Sequence, residues 1–336
     1  MGEKESETTM SVIEVNQIVK EFNVVKREKG LKGSLKALIK PERQTIKAVD
    51  GISFCVEKGE IVAYIGPNGA GKSTTVKMMA GILTPTSGEI LINGVSPHKN
   101  RKKVVADLGV VFGQRTQLNW DLRLGESFEL LKRIYQIDEA TYRANLKTMN
   151  EILAIDELLS TPVRQLSLGQ RMRGDLTAAM LHSPSVLFLD EPTIGLDVDA
   201  KNAIRKFIKD INQSRKTTIV LTTHDLGDIQ ELCNRVIIIN HGKVIEDGSL
   251  NDLIEKIAPF RHLIVDYYAD IAPNHPKAKI VDKADTRVTY RFWKKDITAA
   301  RLIEDLSKTV QIRDVSLEEA DIEDIISIAY KGKKAD

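Results

Sequence analysis

The stretch Gly66-Pro67-Asn68-Gly69-Ala70-Gly71-Lys72-Ser73 follows an apolar run over residues 61–65 and precedes a segment with helical spacing. It matches the pattern G-x-x-x-x-G-K-[ST] in the strand–loop–helix context that this pattern requires. Glycines let the backbone curl so that successive N–H groups point inward at phosphate oxygens, and the helix start adds partial positive charge. The sequence therefore predicts a phosphate cradle, in which Lys72 spans the β- and γ-phosphates and Ser73 holds Mg²⁺.

A buried strand that ends in two carboxylates supplies the other half of this predicted site. Residues 186–189 (Val-Leu-Phe-Leu) lead into Asp190 and Glu191. Asp190 is expected to act on the magnesium ion or its water, and Glu191 to hold the attacking water as general base. Alone, such a pair is more typical of a solvated strand end or a helix cap. Beside the cradle, the catalytic interpretation is favoured. No Asn-Lys-x-Asp occurs in the chain, which argues against guanine selection.

Short apolar runs alternate with amphipathic segments between residues 61 and 245, which is typical of a mostly parallel sheet covered by helices. Strands are predicted at 12–19, 46–56, 61–65, 108–112, 185–190, 217–222 and 235–239. Two successive helical patterns, from Leu124 and from about Glu139, predict a helical insertion at about 115–165. After about Leu250 the pattern changes, which predicts a separate C-terminal α+β domain at 259–336. Its predicted elements are strands at 262–268 and 287–293 and helices at 297–308 and 318–330.

The composition fits a globular protein of 336 residues, with 42% hydrophobic residues, 29% charged residues and a net charge of +2. This near-balance gives no general reason to expect a nucleic-acid binder. Apolar runs such as residues 236–239 are far shorter than the roughly 20 residues of a membrane span. Two cysteines suit a reducing compartment, so we expect a cytosolic protein.

An unusual basic segment spans residues 23–47, with eight Lys or Arg residues against two Glu residues, a local charge of +6. Within it Leu31, Leu35 and Leu38 fall at helical spacing and Pro41 ends the pattern. One interpretation is a short amphipathic element that rests on anionic lipid or against a membrane partner. The other is a solvated helix, which is what a charge run usually is.

The pentapeptide Leu166-Ser167-Leu168-Gly169-Gln170 opens an amphipathic helix 20 residues before Asp190. Locally it reads as a capping box, with Ser167 as N-cap and Gln170 reaching back. In a chain that also holds the cradle and the catalytic strand, it strongly resembles the L-S-G-G-Q signature of the nucleotide-binding subunits of ABC transporters, with Leu168 as the third residue instead of Gly. The resemblance covers residues 11–250, the predicted ATP-binding domain, and implies a P-loop core with an antiparallel β subdomain.

The resemblance implies roles for further residues that follow in the family's order. Gln114 matches the glutamine that senses Mg²⁺ and the attacking water, Asp197 lies in the loop that crosses the dimer interface, and His224 matches the switch histidine that contacts the γ-phosphate. Phe22 stands where the family places an aromatic on adenine, with core packing as the alternative. The implied ATP-binding set is Phe22, Gly66, Pro67, Asn68, Gly69, Ala70, Gly71, Lys72, Ser73 and Thr74. The implied catalytic set is Glu191, His224 and Gln114, the Mg²⁺ set is Ser73, Gln114 and Asp190, and the signature set is Ser167, Leu168, Gly169 and Gln170.

The resemblance also implies how the protein is assembled. In this family each ATP is sandwiched between the cradle of one subunit and the signature of another. One cradle and one signature per chain therefore predict a head-to-tail pair of two copies, with ATP and Mg²⁺ as cofactors. The resemblance reaches the ATPases of ABC-2 type exporters of the drug and viologen kind. It implies a separate integral membrane permease that docks near the helical insertion and Trp120, and a position at the cytoplasmic face of the membrane. A buried core position is the alternative for Trp120.

Two other functions stay open at this point. A soluble ABC-type ATPase that acts on ribosomes or nucleic acid is disfavoured, because the chain has a single cassette and no sustained heptads, so no nucleic acid is expected as a partner. An importer ATPase would share every motif named above. The transported molecule is not encoded here, since specificity resides in the permease.

Overall fold

The computed structural model describes residues 11–25, 43–113, 115–257, 259–319 and 328. The chain divides into two compact units, Met1–Asp247 and Gly248–Asp336. The strands are β1 (Ser11–Val25), β2 (Arg43–Glu57), β3 (Ile61–Ile65), β4 (Ser87–Ile92), β5 (Leu108–Phe112), β6 (Val186–Asp190), β7 (Thr218–Thr222), β8 (Arg235–Asn240), β9 (Lys243–Ser249), β10 (Phe260–Tyr267), β11 (Ala278–Ala284), β12 (Arg287–Trp293) and β13 (Ile312–Glu319). The helices are α1 (Lys72–Met79), α2 (Arg101–Val105), α3 (Leu124–Tyr135), α4 (Glu139–Leu153), α5 (Leu168–Met180), α6 (Val198–Arg215), α7 (Leu226–Leu232), α8 (Leu250–Ile257) and α9 (Ala299–Ser307).

The first unit is built on a six-stranded sheet in the order β5-β6-β7-β3-β8-β9. The pairings from β5 through β8 are all parallel. Strands β3, β6 and β7 are buried along nearly their whole length because both faces of the sheet are covered. Parallel strands end at the same edge, so the loops that follow β3, β6 and β7 meet there. The parallel sheet predicted from the alternating pattern is confirmed.

A second, antiparallel sheet in the first unit has the order β2-β1-β4. One buried cluster connects it to the six-stranded sheet through α1, and includes Ile13, Ile52, Met78 and Phe188. Strands β1 and β2 extend beyond the predicted ranges 12–19 and 46–56. The part of β1 beyond the prediction exposes large apolar side chains, Phe22 and Val24, so the alternation that marks a half-buried strand fades there. Of the basic segment 23–47, residues 23–25 and 43–47 are strand, and 26–42 lie outside the described residues.

The helical insertion is confirmed as α3 and α4, which follow each other without a strand between them. Their inner faces bury Phe128 and Met149 completely. The side chain of Trp120, in the loop before α3, is 51% exposed, so the core position considered for this residue is wrong. None of the described helices is long and apolar enough to cross a lipid bilayer.

The second unit contains an antiparallel sheet in the order β11-β12-β10-β13. Helix α9 contributes Leu302 and Leu306 to a core shared with Leu263, Tyr290 and Phe292 of the sheet. The predicted strands at 262–268 and 287–293 and the helix at 297–308 are confirmed. The helix predicted from residue 318 is wrong at its start, because 312–319 pair with β10 as a strand. Its continuation over 320–330 lies outside the described residues, apart from residue 328.

Candidate functional site

The loop between β3 and α1 has the shape that the cradle pattern predicts. A Cβ atom at Gly66 would lie 2.4 Å from the carbonyl oxygen of Ile239, and one at Gly71 would lie 2.5 Å from that of Ala48. Gly71 also has a φ of 110°, which an L side chain rarely adopts. It is the N-cap of α1 and provides no side-chain cap. The first N–H groups of this helix are therefore left for a ligand, as an anion site requires.

Lys72 is held across the cradle. Its side chain is buried, with only 7% of the residue exposed, and its Nζ donates to the carbonyl oxygens of Gly66 at 2.5 Å and Pro67 at 3.2 Å. Burial lowers the pKa of the ammonium, while the carboxylates of Glu191 and Asp190 act in the opposite direction. The cradle lysine and the two carboxylates predicted from the sequence thus share one electrostatic environment.

Asp190 ends the central strand β6 at the edge where the loops meet. It lies between Phe112 of β5 and Thr222 of β7 in the sheet register. The Thr222 hydroxyl donates to Asp190 Oδ1 at 2.5 Å, which fixes the carboxylate next to the cradle. On the other side, the Gly113 amide donates to the Asp190 carbonyl oxygen at 2.7 Å. This last bond anchors the start of the loop that follows β5.

Glu191 and His224 form a contact across two neighbouring loops. His224 Nε2 lies 2.9 Å from Glu191 Oε1. Glu191 has a φ of 56°, and its amide donates to the Thr222 carbonyl oxygen at 2.9 Å. This backbone geometry turns the carboxylate toward His224, and both residues line a pocket of about 220 Å³ with Lys201 and Asp225. A carboxylate held by an imidazole in an open pocket can accept a proton from a bound water.

Sequence reasoning missed a buried group that supports this pair. Asp228 of α7 is fully buried and accepts hydrogen bonds from Thr193 at 2.5 Å, Thr223 at 3.0 Å and Arg205 Nε at 2.7 Å. Thr193 is two residues after Glu191, and Thr223 immediately precedes His224. One carboxylate therefore fixes both loops of the catalytic pair. The helical register of α7 carries no local signal for the contacts with Thr193 and Arg205, which lie 35 and 23 positions away in the chain.

The signature pentapeptide is a capping box, as predicted. The Ser167 hydroxyl accepts from the Gln170 amide at 3.2 Å, and the Gln170 side chain accepts from the Ser167 amide at 2.9 Å. Gly169 faces α6, where an added Cβ would come within 3.2 Å of the Ala200 Cβ. Residues 167–170 line a pocket of about 510 Å³ together with Asp197, which caps α6 by accepting from the Ala200 amide at 2.8 Å.

Two further residues of the predicted site are Phe22 and Gln114. Phe22 is 38% exposed and pairs across the strands with Ile46, two residues from the Ala48 carbonyl that touches the cradle. It lies on an arm next to the cradle and outside the core, so core packing does not explain it. Gln114 lies outside the described residues. No group of three or more metal-ligating His, Cys, Asp or Glu side chains occurs within the described ranges.

Comparison with known proteins agrees with this geometry. Residues 49–194 match the family described as ABC transporter. The ABC transporter ATP-binding protein NatA of Bacillus subtilis is 33% identical over 214 residues, which are 64% of this chain and 87% of that protein. The Nod factor export ATP-binding protein I of Ralstonia nicotianae is 34% identical over 208 residues, 61% of this chain and 64% of that protein. The methionine import ATP-binding protein MetN of Latilactobacillus sakei is 32% identical over 218 residues, 64% of this chain and 63% of that protein.

The fold is shared as well. The solved structure of an ATP binding subunit of an ABC transporter matches with a TM-score of 0.60 and 26% identity, over 73% of this chain and 93% of that chain. The predicted ABC-type core is confirmed. As a rule, subunits of this kind dimerise and pair with membrane permease subunits. The chain belongs to the ATP-binding proteins of ABC transporters and is an ATPase.

Proposed function

We propose that this protein is the ATP-hydrolysing subunit of an ABC-2 type exporter, and that it acts as a head-to-tail dimer on a separate permease at the cytoplasmic face of the membrane. The catalytic part of this proposal rests on the 2.9 Å contact between His224 and Glu191. This contact lies beside the cradle, where the N-terminus of α1 has no side-chain cap. These features supply a general base and an anion site in one protomer.

In the proposed mechanism the cradle amides and Lys72 bind the phosphates, and Phe22 stacks on adenine. Lys72 must leave the Gly66 and Pro67 carbonyl oxygens to reach the β- and γ-phosphates, an exchange that phosphate charge favours. Glu191 accepts the proton of the attacking water. His224, which holds the Glu191 carboxylate in the structure, turns to the γ-phosphate when ATP is bound.

Magnesium fits the residues present. The Ser73 hydroxyl, the Asp190 carboxylate and the Gln114 side chain, which lies outside the described residues, are oxygen donors, and Mg²⁺ prefers a few such ligands with waters completing the shell. The bound ion would neutralise charge on the β- and γ-phosphates. Thr222 keeps the Asp190 carboxylate in position for this role.

The signature acts on the ATP of the partner copy. Its helix start and the Asp197 loop form an open pocket of about 510 Å³, and the helix dipole favours phosphate there. ATP would thus bridge two copies, and hydrolysis would release them. Contact with the permease is proposed for the loop that carries the exposed Trp120, and contact with anionic lipid or the permease for the basic segment 23–47.

The catalytic part is tested with Glu191→Gln and Lys72→Ala. We expect Glu191→Gln to abolish turnover and to accumulate an ATP-bound dimer on size-exclusion chromatography, and Lys72→Ala to abolish nucleotide binding. The control is Glu89→Gln, which alters an exposed carboxylate on β4 paired with Lys99. Unaltered turnover in a folded Glu191→Gln protein would overturn the assignment of the base.

The partner is tested by purification from native membranes in mild detergent. Export predicts a multi-span permease that co-purifies at a near one-to-one ratio and is lost with Trp120→Ala. An importer is the second candidate, favoured by the similarity to the methionine import protein. It predicts that transport additionally requires an external solute-binding protein. Recovery of ribosomes or nucleic acid without any permease would overturn the transporter proposal.

A further inference from the structure

A buried carboxylate on the signature helix has no part in the mechanism described so far. Asp175 lies two turns after the signature in α5 and is only 4% exposed. Its Oδ1 accepts from the Thr116 hydroxyl at 2.8 Å and from the Gln117 amide at 3.1 Å. In return, the Gln117 side-chain amide donates to the Asp175 carbonyl oxygen at 3.1 Å. Three hydrogen bonds therefore join the signature helix to the loop that follows β5.

The same loop begins at the catalytic carboxylates. Gly113 donates its amide to the Asp190 carbonyl oxygen at 2.7 Å. A Cβ atom at Gly113 would lie 2.2 Å from the Glu191 carbonyl oxygen, so this approach leaves no room for a side chain. Only a few residues separate this anchor from the Asp175 contacts. The loop is thus held at one end by the catalytic strand and at the other by the signature helix.

Packing makes the second attachment tight. Leu118 is buried, and a Cβ atom at Gly174 would lie 3.0 Å from the Leu118 Cδ1 and 2.9 Å from the Leu124 Cδ1. Glycine next to Asp175 therefore lets the loop lie directly on the helix. The guanidinium of Arg171, one turn earlier, sits 5.3 Å from the Trp120 ring of the same loop. A displacement of this loop is transmitted to α5 because close-packed side chains have no room to absorb it.

An ionised carboxylate is costly to bury, so its presence here calls for a reason. Burial raises the pKa of Asp175 to about 6, although Thr116, Gln117 and Arg171 act to lower it. An apolar side chain of similar size would pack between the helix and the loop without this penalty. The carboxylate instead gives the contact a fixed geometry, since a single oxygen accepts both donors from the loop.

We propose that Asp175 is a positioning residue that couples the two ATP sites of the dimer. This inference rests on the proposed function, in which the loop after β5 serves the ATP in its own cradle while the signature helix serves the ATP of the partner. The clamp formed by Asp175, Thr116 and Gln117 makes the loop after β5 and the signature helix α5 move as one body. ATP bound in the cradle of one copy therefore sets the position of that copy's own signature helix, which serves the ATP held by the partner.

The test measures steady-state ATP hydrolysis of the purified full-length chain as a function of ATP concentration. For the wild type we expect a Hill coefficient above 1. Asp175→Ala is expected to lower kcat about tenfold, because the loop loses both hydrogen bonds that position it on the signature helix. It is also expected to bring the Hill coefficient to about 1 and to leave the binding of a non-hydrolysable ATP analogue within about twofold. Asp175→Asn is expected to restore both parameters, because its Oδ1 can accept the same two bonds.

Thr177→Ala is the matched control, since it removes a buried hydroxyl of the same helix that donates to the Arg173 carbonyl oxygen one turn earlier and makes no hydrogen bond to the loop among the described residues. Thr116→Val removes one of the two donors to the Asp175 carboxylate from the loop side, and covers the case in which Asp175→Ala fails to fold. The double variant should lose no more kcat than Asp175→Ala alone, because the two side chains act as one unit. An active wild type whose Hill coefficient is unchanged in Asp175→Ala and Thr116→Val overturns the inference alone. A folded wild type that does not hydrolyse ATP overturns the proposed function instead.

Discussion

Replacing Asp228 with Asn should weaken the fold and the catalytic pair together. The Asn oxygen can face only one side, and facing Arg205 Nε at 2.7 Å leaves the amide against the Thr193 and Thr223 hydroxyls. The Thr223 hydroxyl already accepts from the Asp225 amide at 2.9 Å. Arg205 keeps Asp225 at 3.0 Å, so its charge is not left unpaired. We therefore expect a loss of about 2–3 kcal/mol in the free energy of unfolding, between the cost of one buried charged hydrogen bond and that of a broken buried ion pair.

The assay is urea denaturation combined with ATPase kinetics. Glu231→Gln is the matched control, because this α7 carboxylate also contacts Arg205, at 3.4 Å, but is 42% exposed. It should cost less than about 1 kcal/mol. Since Asp228 fixes the loops of Glu191 and His224, Asp228→Asn should also lower kcat about tenfold with little change in nucleotide affinity. A loss of stability and activity no larger than that of Glu231→Gln would refute this account of the network.

Two further predictions concern backbone geometry and pH. Gly71→Ala should abolish tight nucleotide binding and should destabilise the protein more than the control Gly94→Ala. Both glycines have positive φ, but of the two only Gly71 would bring its added Cβ against a backbone atom, the Ala48 carbonyl oxygen at 2.5 Å. Calorimetric titration with ATP measures the binding, and thermal unfolding measures the stability. Burial raises the pKa of folded Asp175 to about 6, above its ordinary value of 3.8. The contribution of this carboxyl to stability is therefore fully present below pH 3.8 and is lost as the pH rises through 6. Compared with Asp175→Asn, the wild type should lose about 2 kcal/mol of unfolding free energy between pH 4 and 7, and equal pH profiles of the two proteins would contradict the burial argument.

Local patterns predicted the parts of the site that are local in the chain. The cradle depends on glycines and a lysine within eight consecutive residues, and the Ser167 cap depends on a residue three positions away. Both signals are complete in a short window, and both features formed as expected. The contact between Glu191 and His224 was not predicted, because His224 received a role only through the family resemblance. The two side chains meet because the parallel strands β6 and β7 end at the same edge of the sheet.

The contacts that were missed join residues distant in the chain. Asp175 and Thr116 are 59 residues apart in the sequence, and Asp228 and Thr193 are 35 apart. Local periodicity does not predict contacts between such distant residues. The helix predicted from residue 318 failed at its start for a related reason. Its first residues pair with β10, and the backbone hydrogen bonds of a sheet override a local pattern that fits a helix equally well.

The central claim is that each ATP is hydrolysed between the cradle of one copy and the signature of another. It is tested by mixing two inactive proteins, Glu191→Gln and Ser167→Arg, before ATP is added. In a mixed dimer one site combines both defects, and the other combines an intact cradle and base with an intact signature. With random exchange, half of the dimers are mixed and half of their sites are intact, so the account predicts an ATPase rate clearly above that of either component and at most about a quarter of the wild-type rate. A mixture as inactive as its components would show that each chain hydrolyses ATP with its own signature, and would contradict the claim.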